Sequence, residues 1–133
     1  MIQLLTKSFA IVLTALALSA CAVTPKSIVE DGGAKLSGAE LQELYANGLK
    51  VAWTSARGGS GTGTYTPEGG ATIAFGSTTW TGNWRIENDT LCTSYAERNN
   101  GEERCFATYK RADGSLSWFT PEGKFGGDMT IVQ

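Results

Sequence analysis

Histidine is absent from this 133-residue chain. With it go the usual general base, the commonest zinc ligand and every Ser-His or Cys-His nucleophilic pair. Cysteine is scarce, at three residues, and the three form no metal-binding cluster. No EF-hand spacing occurs either, so neither a metal nor a cofactor is expected. Charge is nearly balanced: eleven Lys and Arg, one of them Lys7 near the start, face thirteen Asp and Glu. No basic patch emerges, which argues against nucleic acid as a partner. Long apolar runs are missing beyond the first twenty residues, so no second segment could cross a bilayer as a helix.

The N-terminus has the layout of an export signal. Lys7 gives a thin positive region, and Phe9 to Leu18 is an apolar run too short for a folded membrane span. Leu18-Ser19-Ala20-Cys21 then leads straight into a cysteine. This resembles the lipobox of bacterial lipoproteins, whose processing lipidates the thiol and cuts just before it. The resemblance implies a cleaved signal peptide at residues 1–20 and several acyl chains on Cys21, enough for stable membrane attachment. Ala22 stands where inner-membrane retention in enteric bacteria is linked to an aspartate. The expected location is therefore the Gram-negative cell envelope, lipid-anchored at the outer membrane and facing the periplasm.

In such an oxidising compartment the two remaining cysteines, Cys92 and Cys105, read as a disulfide. The closed loop is about fourteen residues, worth on the order of 3 kcal/mol by the chain-entropy account. Asn100-Gly101 alone would make a two-residue hairpin and set Cys92 opposite Tyr109. The disulfide instead requires a wider, polar loop from about Glu97 to Glu103.

Residues 21–35 hold Pro25, the Gly32-Gly33 pair and apolar residues without lasting period, and read as the lipidated N-terminus and a flexible tether. The domain proper is 36–133. It opens on a helix start: Ser37 as N-cap, Glu40 closing a capping box, Leu36 and Leu41 as a hydrophobic staple. Leu41, Leu44 and Tyr45 share a face, and Asn47-Gly48 supplies the stop, giving a helix of about ten residues. It is too short to stand alone and must pack on something else.

From Leu49 the period becomes two, with turn chemistry near every ten residues. Strands are expected over 49–54, 61–66, 71–76, 79–86, 90–97, 104–110, 115–119 and 125–132. Trp80, Gly82, Trp84 and Ile86 fall on one face of their strand. The fold class is thus mainly β, a small antiparallel up-and-down barrel of about eight strands with one short N-terminal helix.

Chemistry-bearing residues are few. Glu87, Asp89, Glu102 and Glu103 lie in expected turns, where solvated charge explains them, so no catalysis is expected. Arg57-Gly58-Gly59-Ser60-Gly61-Thr62-Gly63 lacks the phosphate-loop pattern and reads as a flexible loop. Ser60-Gly61-Thr62-Gly63-Thr64-Tyr65 resembles the Ser-Gly-x-Gly-x-x-Tyr loop of lipid-anchored inhibitors of c-type lysozyme, with Tyr65 one residue early. That resemblance implies a partner-binding loop with Ser60, Gly61, Gly63 and Tyr65 at the contact. Aromatics are plentiful, and most belong in a core. Trp53 and Trp84 are the candidates for lining a small-ligand site in the barrel.

Across residues 36–133 the order of motifs is similar to a group of exported proteobacterial proteins classed as a domain of unknown function. The motifs are Leu36 to Leu41, Gly82-Asn83-Trp84-Arg85-Ile86, Leu91-Cys92, Arg104-Cys105-Phe106, and the Asp113-Gly114 and Pro121-Glu122-Gly123-Lys124 turns. The resemblance implies a helix-capped, disulfide-stapled β-barrel in the cell envelope and lends no activity. The expected role is binding or structural, with an envelope protein or a small ligand as partner and the membrane reached through Cys21.

Overall fold

A computed structural model describes residues 22–132. The signal segment 1–20 and the lipid-attachment candidate Cys21 lie outside the described residues. Nine strands form one antiparallel sheet: β1 (Ala34–Lys35), β2 (Leu49–Ser55), β3 (Ser60–Tyr65), β4 (Gly70–Phe75), β5 (Thr78–Glu87), β6 (Thr90–Tyr95), β7 (Arg104–Lys110), β8 (Leu116–Phe119) and β9 (Phe125–Val132). From β2 to β9 each strand pairs with its sequence neighbour, and β9 returns to pair with β2. The result is a closed eight-stranded meander, which removes both sheet edges. The added strand β1 pairs with the last residues of β7, Ala34 opposite Lys110 and Lys35 opposite Tyr109.

The segment expected to be a flexible tether is a correction. Pro25–Glu30 forms a short helix, α1, with Thr24 and Ser27 closing a capping box at its start. Ile28 is buried, Gly33 donates to the Ile28 carbonyl, and Leu36 donates to the Thr108 carbonyl. A Cβ on Gly33 would stand 2.6 Å from Ile28 Cγ2. The Gly32-Gly33 pair that suggested looseness is instead what lets the chain turn tightly and dock.

The second helix, α2 (Gly38–Tyr45), forms as its capping box dictates. The Ser37 hydroxyl accepts from the Glu40 N–H, and the Glu40 carboxylate accepts from the Ser37 N–H. The Asp89 carboxylate, in the β5–β6 turn, accepts from the Gly38 N–H at 2.7 Å, tying the helix to the barrel. Leu41 and Tyr45 are fully buried and join Leu36, Leu49, Trp84 and Leu91 in the core. Gly48, at φ 84°, ends the segment and starts β2. The helix thus plugs one end of the barrel, the end carrying the β3–β4, β5–β6 and β7–β8 turns. Burial against the barrel supplies the stability an eight-residue helix lacks alone.

Direct pairing of Cys92 with Cys105 fixes the β6–β7 register, and the two are joined in a disulfide. The loop after β6 is wide and polar, as the disulfide requires. It carries three consecutive residues in the left-handed region, Asn99, Asn100 and Gly101 (φ 49°, 55° and 76°). Asn and Gly are the residue types that adopt this conformation most readily.

Candidate functional site

Strand alternation decides what faces the lumen. On β5, Trp80, Gly82, Trp84 and Ile86 point inward, and on β6 Leu91, Thr93 and Tyr95 meet them. Near the plugged end, Tyr45 stands edge-on to Tyr65 with centroids 5.0 Å apart, and 5.4 Å from Trp84. The Trp84 indole N–H donates to the Thr66 carbonyl at 2.8 Å. Burial holds the Tyr45 and Tyr65 hydroxyls protonated well above the usual tyrosine range and raises that of Tyr95. The buried Tyr45 hydroxyl has no hydrogen-bond partner among the described residues.

Two of the expected site residues are therefore core. Trp84, at 8% exposure, seals the plugged end and does not line a ligand site. Tyr65, at 6%, is turned into the barrel and cannot reach a partner. The segment expected to be a flexible loop is largely strand β3, with Ser60 exposed at its start. Its glycines face inward because neighbours fill their space. A Cβ on Gly61 would run into the Ala74 carbonyl and stand 2.7 Å from Trp53 Cζ2. One on Gly63 would meet Val51 Cγ2 at 3.1 Å and Ile73 Cδ1 at 3.2 Å. These glycines serve packing under large side chains rather than mobility.

The opposite end is built differently. Among the described residues no α-helix covers it, and the inward residues there are aromatic and partly exposed: Trp53, Phe75, Trp80, Phe106 and Trp118. Trp53 is edge-on to Phe75, Phe75 is edge-on to Trp80 at 4.9 Å, and Trp80 lies 6.1 Å from Tyr95. The Trp53 indole N–H donates to the Thr62 carbonyl, leaving its ring to line the end of the lumen. Trp118 lies flat on Gly126 and Gly127, where a side chain would collide with its indole. Of the two expected ligand-lining residues, Trp53 belongs to this open end.

Two arginines face the same rings. The Arg98 guanidinium lies 5.6 Å from the Trp80 centroid, and that of Arg104 lies 5.7 Å from the Phe106 centroid. Desolvation lowers the Arg98 pKa, and the nearby charge of Arg104 adds to this. Sequence reading missed both arginines, as well as the rim roles of Trp80, Phe106 and Trp118. A signal existed: once Cys92 opposes Cys105 on the outer face, the period of two turns Arg104 and Phe106 inward.

Outside the barrel, Glu87, Cys92, Glu103 and Cys105 bring four potential ligand atoms within 4.8 Å of one another. Both sulfurs are spent in the disulfide, and both carboxylates bind Arg85, so no free donor set remains. Glu103 holds its proton less tightly than an ordinary carboxyl because Arg85 hydrogen-bonds its charged form. Ser117 is fully buried between Arg111, which donates to its hydroxyl at 2.7 Å, and Asp128, which accepts from it. No reactant can reach that hydroxyl, so the trio is structural. A surface concavity of about 560 Å³ lies beside α2 between Leu36, Leu44, Leu116 and Ile131. A second, about 400 Å³, lies along β2, β3 and β9, where Trp53 and Met129 join small and polar residues such as Ala52, Thr54 and Thr130.

Compared with family models, curated proteins and solved structures, the chain matches none.

Proposed function

We propose that the protein is a lipid-anchored component of the bacterial cell envelope that works by binding, not catalysis, and that the open aromatic end of its barrel is the binding surface. The observation that carries this reading is the asymmetry of the two ends. One is sealed by α2 with fully buried Leu41 and Tyr45; the other leaves three indoles and two phenyl rings partly exposed. A barrel that needed only a core would gain by covering those rings. Partly exposed aromatic rings beside cationic groups are the composition of recognition surfaces.

The test is heteronuclear NMR of the indole N–H signals while small-molecule fractions of a cell-envelope extract are added to the full chain in detergent. Saturable shifts of Trp53, Trp80 or Trp118, with Trp84 unmoved, support the reading. Shifts confined to Trp84, or none at any tryptophan, overturn it. Anchoring is tested separately: Cys21→Ala should release the protein from membranes, and unchanged membrane fractionation would refute the anchor.

A protein inhibitor of a c-type lysozyme is the second reading, resting on the exposed Arg57–Ser60 segment at the same open end. Tyr65 has no part in it. Retention of lysozyme by the full chain, lost on substituting Arg57 and Ser60, would put this reading first.

A further inference from the structure

We propose that the open end takes a small oxyanion, a carboxylate or phosphate, carried on a planar apolar body, with Arg98 and Arg104 holding the anion and the rim rings around Trp80 holding the body. The inference rests on the reading of the open end as a binding surface, and adds the ligand class.

Charge and position carry it. Arg98 has no carboxylate within ion-pair distance among the described residues. Glu102 lies exposed in the loop between the two arginines and makes no ion pair with either among the described residues, and the other carboxylates of this end are engaged. Glu97 accepts from the Thr81 N–H, Glu103 pairs with Arg85, and Glu122 reaches Arg104 only at 3.6 Å from a largely exposed position. Such an exposed, long ion pair contributes little. Two guanidiniums thus stand over rings of the same end, both partly exposed, and the long Arg104–Glu122 contact is the one ion pair that either makes among the described residues. Burial lowers the Arg98 pKa, and the like charge of Arg104 lowers it further. An oxyanion between them removes the repulsion and matches the fork of donors that arginine presents.

Backbone geometry keeps the arrangement in place. The Arg98 N–H donates to the Tyr95 carbonyl, and the Arg98 carbonyl accepts from Gly101. The left-handed run Asn99-Asn100-Gly101 then turns the chain back, and the Cys92–Cys105 pairing fixes β7, which starts at Arg104. The loop that carries one arginine and the strand that carries the other are therefore stapled together. With both guanidiniums already stacked against aromatic faces, little side-chain freedom is left to lose on binding.

The experiment titrates the full chain in nonionic detergent at neutral pH with indole-3-acetate, phenyl phosphate and the neutral analogue indole-3-acetamide, read by the indole N–H signals. Saturable movement of Trp80 with both anions, and affinity about tenfold or more weaker for the amide, is expected. In R98Q/R104Q the acetate should bind no better than the amide, with near-ultraviolet circular dichroism unchanged. R98Q alone serves the same comparison should the double variant unfold. Equal affinity for acetate and amide at Trp80 overturns the anion inference while leaving the open end as a binding surface. No movement of any rim tryptophan with any probe overturns the anion inference, and the extract titration then decides the broader reading. Anion binding that survives in R98Q/R104Q overturns the assignment to these two residues.

Discussion

Raising the pH should unfold this barrel from the inside. Tyr45 and Tyr65 sit in the lumen beside α2, and burial keeps both hydroxyls protonated far above the tyrosine value of 10.0. The folded-state pKa is raised, so the stabilisation is fully present below pH 10 and is lost as pH climbs toward the folded value. In the unfolded chain each tyrosine ionises near 10, so at one unit above that each costs the native state about 1.4 kcal/mol. Two buried tyrosines acting together remove roughly 3 kcal/mol at that pH and roughly 5 kcal/mol one unit higher, with Tyr95 shifted in the same direction. A domain of this size has about 5–15 kcal/mol in total. Tyrosinate absorbance and far-ultraviolet circular dichroism should therefore change together, in one cooperative step well above pH 10. Tyr45→Phe should make that step shallower by one proton while leaving the ring packed against Tyr65. Smooth appearance of all tyrosinates near pH 10 with an intact barrel would refute the buried placement.

Cys92→Ser/Cys105→Ser should lower stability by about 3 kcal/mol, read as a lower urea midpoint, because it opens a loop with sequence separation 13. An unchanged midpoint would show that the staple adds nothing. Gly63→Val should cost about 1–3 kcal/mol through collision with Val51 and Ile73, whereas in a flexible loop it would cost almost nothing. Glu103 has its carboxyl pKa lowered by Arg85, so the pair's contribution is present above the ordinary value of 4.5 and disappears as pH falls through the folded pKa. Glu103→Gln should accordingly narrow the stability gap between neutral and acid conditions, and an identical acid profile would argue against the pair.

Local signals were readable wherever one rule dominated. The Ser37–Glu40 capping box set the start of α2, and period-two alternation placed eight strands within a residue or two of their bounds. The disulfide outweighed the Asn100-Gly101 hairpin signal, as the Cys92–Cys105 register shows. Glycine defeated the reading twice. In β3 it marks room for Trp53, Val51 and Ile73, and before β1 it marks close docking on Ile28. Glycine signifies either freedom or crowding, and only the partner across the strand says which. The open end was harder still, since Trp53, Phe75, Trp80, Arg98, Arg104 and Trp118 are spread over half of the chain and meet only through barrel closure.

The asymmetry of the barrel also bears on orientation. The α1–β1 hook meets β7 at Tyr109 and Lys110, beside the β7–β8 turn, which is the end that α2 seals. A lipid on Cys21 would precede α1 by only a few residues, and α1 itself adds about 9 Å at 1.5 Å per residue. A hook docked in this way restrains the barrel far more than a free tether would. With a lipid on Cys21, it would hold the sealed end toward the anchor and turn the aromatic end away from the membrane. Ala34→Pro would remove the Ala34 N–H from the β1–β7 pairing, leaving the Leu36 N–H bond to the Thr108 carbonyl and the barrel strands in place. If the hook sets orientation, anchored A34P should lose the difference in quencher access between rim tryptophans and the bilayer-facing side. Identical quenching by lipid-attached quenchers before and after the change would show that orientation is set elsewhere.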